Sequence, residues 1–281
     1  MDSCQALISK IKEEYKSGRL ILPSLPEIVV RVRQAVNDDD VNLGNVVKLI
    51  QLDPSLTARL VQIANSPLYR SRQPVENCLM AVNRLGLKTT RDLVTCLVLN
   101  NIFNSENKHL EVKVKKLWQH SCHVAAISST IAKVSPGLHE DTALLAGLLH
   151  DIGTLPVLHY AADFPEVFES EEKLDFVIKE LRAPLGQAIL KAWNFDEALS
   201  DVSAGAEDWL RDTGEAADYV DVVIVAQIHS DFGKSNCANL PPLLKTPAFL
   251  KLGLSKLGPD ASLEVLFEAE QGIRDIMGML G

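Results

Sequence analysis

The chain has 281 residues, 47% hydrophobic and 23% charged, with a formal net charge of −9 and a mean hydropathy of +0.07. That composition belongs to a globular protein with a sizeable core, one large domain or two ordinary ones, and excludes a disordered or fibrous chain. Apolar runs such as Leu97 to Leu99 and Val222 to Ala226 fall far short of the ~18 residues of a membrane span, and Met1 to Gln5 lack the basic start of a secretory signal, so a cytoplasmic protein with no membrane partner is expected.

Charge is unevenly placed. Residues 1–120 carry 17 Lys and Arg against 12 Asp and Glu, a balance of +5, whereas residues 121–281 carry 11 against 25, a balance of −14. The basic excess is scattered over Arg31, Arg59, Arg70, Arg72 and Lys113, and aromatics make up only 5% of the chain. Neither a concentrated basic patch nor a stacking platform is evident, which argues against a nucleic acid partner. Five cysteines, Cys4, Cys78, Cys96, Cys122 and Cys237, lie far apart with no C-x-x-C pair, so reduced, mostly buried thiols are expected.

Nearly every long segment has helical spacing. Pro26-Glu27 opens a run through Ile28, Val32 and Val36 that ends at Asn37 to Asp40, and Asn42 is placed to cap the next run. Asp53-Pro54 is a helix start, because the Asp oxygen accepts a free backbone N–H where Pro has none to offer. The helix it opens carries Leu56, Leu60, Ile63 and Ala64 on one stripe and stops at Asn65-Ser66-Pro67. Leu79, Val82 and Leu85 form a further stripe closed by Gly86, and Thr89 or Thr90 starts a helix through Leu93 and Leu97. The polar stretch after Asn100 predicts a division into residues 1–107 and 108–281. Beyond it, helical spacing recurs over Leu117–Val134, Asp141–Ile152, Phe164–Leu181, Leu185–Trp193, Asp218–His229 and Ser262–Leu280. Val220–Ala226 reads equally as a strand or a buried helix. An all-α fold results, with an N-terminal helical subdomain and a helical bundle behind it.

The residues that could carry chemistry are His150 and Asp151. Ala143, Ala146, Gly147 and His150 share one face, and small residues let a neighbouring helix approach closely. The obvious neighbour holds His120 and His123, three apart on one face. Imidazoles with a carboxylate suit a divalent transition metal, which could lower the pKa of a bound water. The spacing equally allows His150 to cap its own helix while Asp151 bonds to backbone. No phosphate-binding glycine loop and no serine-hydrolase elbow is present.

Leu22-Pro23-Ser24-Leu25-Pro26-Glu27, Asp53-Pro54-Ser55-Leu56-Thr57-Ala58-Arg59-Leu60, Ala64-Asn65-Ser66-Pro67-Leu68-Tyr69 and Leu85-Gly86-Leu87 resemble, in order, the signatures of the HDOD domain. This is a bacterial signalling module related to the HD superfamily of metal-dependent phosphohydrolases. Leu117 to Ser121 resembles the segment of that superfamily's first histidine, and Leu148 to Gly153 its His-Asp doublet. The resemblance implies an HD-like helical bundle and makes His120, His150 and Asp151 the metal-ligand candidates. It also implies losses. The later helix that supplies a second aspartate, commonly in an Ala-Asp pair, has Ala226-Gln227 here. Further histidines of the cyclic-di-GMP phosphodiesterase relatives correspond to Arg182, before Gly186, and to Ala206-Glu207, after Trp193. His229 and Asp231 are rival fourth ligands by proximity in sequence. Three ligands can hold one divalent transition metal weakly; they do not build a two-metal centre.

The expectation is therefore a signal-transduction module acting through contacts with other signalling proteins, without catalytic activity and with no assigned catalytic residue. Homo-oligomer formation is left open. The competing expectation is a metal-dependent phosphohydrolase acting on a nucleotide or cyclic dinucleotide.

Overall fold

A computed structural model describes residues 3–69, 73–104, 107–214, 216–231, 240–253 and 274–278. With no strand among these residues, a helical stretch at 274–278 comes after fourteen α-helices. They are α1 (Ser3–Lys16), α2 (Glu27–Asn37), α3 (Leu43–Ile50), α4 (Pro54–Ala64), α5 (Cys78–Leu85), α6 (Leu87–Leu99), α7 (Lys108–Lys133), α8 (Glu140–Leu149), α9 (Thr154–Ala161), α10 (Pro165–Phe168), α11 (Glu171–Ala192), α12 (Glu197–Gly205), α13 (Tyr219–Ser230) and α14 (Pro247–Lys251). No helix among the described residues is long and apolar enough to cross a membrane.

Local chemistry accounts for many of the boundaries. The Asn42 side chain accepts from the amides of Gly44 and Asn45, and Asp53 accepts from Leu56, so both helices start where a side-chain oxygen satisfies orphan donors. Asp53→Ala is expected to lower stability by about 1 kcal/mol, read as a lower midpoint of urea unfolding at unchanged slope. Gly86, at φ +80°, ends α5 and precedes α6, so α6 begins at Leu87, ahead of Thr89. The buried face of α5 is Cys78, Ala81 and Val82, and Leu79 faces solvent, which corrects the expected stripe.

The second half departs further from the periodicity reading. Asn107 caps α7, which therefore starts nine residues before Leu117. Pro156 lies in the first turn of α9, where its missing N–H costs nothing. The helix α11 runs through Pro184 because Leu181, Leu185 and Ile189 keep one buried stripe across it. Val220–Ala226 is helical, within α13, which Asp218 and Asp221 open with a capping box. Cys4, Cys78, Cys96 and Cys122 are buried free thiols, while Cys237 and most of Ser262–Leu280 lie outside the described residues.

The helices α8 and α13 are buried on nearly every side and form the centre of the fold, with α7 packed along both. The helix α1 lies against α9 and α11. A polar seam joins α6 to α8: Thr142 donates to Asp92, and Thr89 and Tyr69 both donate to Asp141. Close by, the Arg33 guanidinium stacks 3.8 Å from the Phe195 ring; burial first, and then the neighbouring Arg91, bring its pKa down to about 10.

Candidate functional site

Three glycines set the spacing of the helices around His150 and Asp151. A Cβ on Gly147 would overlap the backbone of Ala125, so α8 lies directly on α7, the helix that carries His120. A Cβ on Gly153 would lie 2.5 Å from the Gly186 amide and overlap the Arg182 carbonyl oxygen, so the turn after α8 sits on the backbone of α11. A Cβ on Gly186 would overlap the Ser203 hydroxyl, which brings α12 onto the same stretch of α11. One cluster of side chains thereby gathers His120 from α7, His150 and Asp151 from the α8–α9 turn, Arg182 from α11 and Glu207 from just beyond α12.

Helix α8 ends at Leu149, and His150 occupies its C-cap. The His150 Nδ1 lies 2.7 Å from the Gly147 carbonyl oxygen, so an Nδ1–H there satisfies one of the orphan carbonyls of the last turn. Capping and convergence thus coexist in His150, the two readings that the spacing had left as alternatives. With Nδ1 as donor, Nε2 carries either a lone pair or a second N–H. That atom is fully buried, makes no hydrogen bond and faces Asp151 Oδ2 at 3.1 Å. Two acceptors at this distance need a cation between them, either a proton or a metal ion.

His120 approaches from the other side, its Nε2 3.7 Å from the same Oδ2 and its ring edge-on to that of His150, centroids 5.2 Å apart. Among the described residues, His120, His150 and Asp151 are the one group of at least three such side chains whose ligand atoms all lie within 4.8 Å of one another. That is near the spacing set by ~2.1 Å bonds to a single ion.

The other oxygen of Asp151 is taken. Arg182 Nη1 donates to Asp151 Oδ1 at 2.9 Å, and Arg182 Nη2 pairs with Glu207 Oε2 at 3.0 Å. The Arg182 side chain is 4% exposed and that of Glu207 39%. Burial alone would raise the pKa of Asp151, but His150, Arg182 and His120 outweigh it and hold the carboxyl far below the ordinary carboxylate range. Gln227, also buried, donates from its amide to the Ala206 carbonyl oxygen at 2.6 Å, which fixes the backbone just before Glu207. His123, His229 and Asp231 are not part of the three-donor group. Burial, and then His123, lower the pKa of His229.

One divalent ion therefore fits the donor set on the side of His120, His150 and Asp151. A second ion bridged through Asp151 does not, because the guanidinium holds Oδ1. The sequence reading set Arg182, a positive charge, at a position where relatives carry a histidine. It missed that Glu207 is the second partner of that charge. The signal was there: the two positions where histidines are lost carry residues of opposite charge.

The family model of the HDOD domain matches residues 22–208. A crystal structure of a presumed metal-dependent phosphohydrolase from Shewanella amazonensis SB2B is 31% identical, with a TM-score of 0.80, over 97% of this chain and 100% of that one. An HDOD domain protein of unknown function from Geobacter sulfurreducens is 24% identical, with a TM-score of 0.68, over 98% and 97% of the two chains, and shows the likeness in fold alone. An uncharacterized protein of Treponema pallidum is 24% identical over 195 residues, which are 63% of this chain and only 36% of that protein. With a family match over well more than half of its length and the helical fold in place, the chain belongs to the HDOD domain family.

Proposed function

We propose that the chain is a bacterial regulatory module that works in the cytoplasm through contacts with other signalling proteins and does not hydrolyse phosphoesters. Residues 108–281 would carry the pocket, and residues 1–107 an N-terminal helical subdomain. The observation that carries this reading is the buried guanidinium of Arg182 on Asp151 Oδ1. Metal-assisted hydrolysis needs an ion held firmly while charge builds on the phosphoryl oxygens. A dication and a guanidinium about 5 Å apart repel by roughly 7 kcal/mol at an effective dielectric of ~20, against which three protein donors must work. His120, His150 and Asp151 are the residues that would hold a single divalent transition metal, weakly.

The test is turnover. Wild-type protein supplied with Mn²⁺, Ni²⁺ or Fe²⁺ and given a cyclic dinucleotide, a nucleoside monophosphate or a nitrophenyl phosphodiester is expected to match a His150→Ala/Asp151→Ala control. The second reading, a metal-dependent phosphohydrolase, draws support from the orphaned His150 Nε2 and from the 31%-identical Shewanella relative. Robust hydrolysis that the double variant abolishes would establish it in place of the first.

A further inference from the structure

We propose that Arg182 is the resident counter-cation of this pocket and that Glu207, its second partner, is a latent metal ligand. With the guanidinium gone, one divalent transition ion is held by His120, His150, Asp151 and Glu207. This deepens the reading above and rests on its assignment of the three-donor group.

Two observations carry the proposal independently. The first is the bridge: a single guanidinium joins Asp151 Oδ1, at 2.9 Å, to Glu207 Oε2, at 3.0 Å, in the way a shared cation joins two carboxylates. The second is the fully buried Nε2 of His150, which lies 3.1 Å from the other oxygen of the same Asp151 carboxylate. One oxygen of Asp151 therefore faces two histidine nitrogens, while the other is neutralised by an arginine. Glu207 stands outside the three-donor group by the width of the guanidinium. Its side chain is 39% exposed and so is not packed in on every side. Asp151 lies at the junction of the two, so a dication and the guanidinium compete for it. Four protein donors, two of them anionic, then replace three donors set against a positive charge. Such a gain of ligand and loss of repulsion act in the same direction.

Cobalt(II) titration followed by visible absorption tests this, since four-coordinate cobalt absorbs strongly and the readout is independent of turnover. Arg182→Ala removes both the charge and the width of the side chain; Arg182→Gln, which is shorter and can still donate a hydrogen bond, is the second variant should the first fail to fold by circular dichroism. Either variant is expected to bind cobalt about tenfold or more tightly than wild type. Adding Glu207→Gln is expected to return the affinity toward the wild-type value. Equal affinity in wild type and both Arg182 variants would overturn the counter-cation role, and a gain that survives Glu207→Gln would overturn the latent ligand. Hydrolysis by the wild-type protein would instead contradict the non-hydrolytic reading, so the two failures are distinguishable.

Discussion

Gly153→Ala is expected to lower stability by about 3 kcal/mol or more, at the upper end of what overpacking costs. The loss is steric, because Gly153 has φ −67° and ψ −12°, which alanine adopts without strain. On backbone entropy alone the change would stabilise the chain by about 0.4–1 kcal/mol. The new methyl instead overlaps the Arg182 carbonyl oxygen and lies 2.5 Å from the Gly186 amide nitrogen. Both are backbone atoms of α11 and cannot rotate away, so the turn holding Asp151 must lift from the helix holding Arg182. Urea unfolding checks this, and an unchanged midpoint would show that the two segments are not held in close contact. Gly186→Ala meets the Ser203 hydroxyl, so its cost should shrink when Ser203→Ala is present.

Arg182→Met is expected to cost about 3–5 kcal/mol, the range found when one partner of a buried ion pair is removed. Asp151 would keep its burial and its histidines but lose a charged hydrogen bond at 2.9 Å. The pH dependence gives a second check. The folded pKa of Asp151 is depressed, so its ionisation contributes stability that is present above the unfolded value of ~3.9 and is lost as pH falls below it toward the folded value. With Arg182 removed the depression is smaller. Acid unfolding of the variant should therefore depend less steeply on pH below ~4 than that of wild type. Identical slopes would mean that Arg182 does not act on this carboxylate.

Much of the first half of the fold was legible because its boundaries are written in side chains. Asn42, Asp53 and Gly86 each do by local chemistry what their positions announce. Where tertiary packing decides, the periodicity misled. Pro184 is absorbed into α11 by a continuous buried stripe, Leu79 points outward because Cys78 and Ala81 fill the inner face, and α1, α9 and α12 went unread. At the site, the small-residue face ending at His150 foretold the approach of α7, and Gly147 against Ala125 is that approach. The doublet and His120 were readable as a group. The Arg182–Glu207 pairing was missed although its opposite charges stand in the sequence, because it joins α11 to the turn just beyond α12, 25 residues on, through a contact that Gly186 and Ser203 create.

The Arg182 guanidinium holds the Asp151 oxygen through which a second ion would be bridged. Anomalous-scattering crystallography of wild-type crystals grown with excess Mn²⁺ or Co²⁺ tests this. At most one ion is expected, on His120, His150 and Asp151 Oδ2, with Arg182 still within hydrogen-bond distance of Asp151 Oδ1 or Glu207. Two ions about 3.5–4 Å apart, bridged by Asp151 with Arg182 turned away, would contradict it.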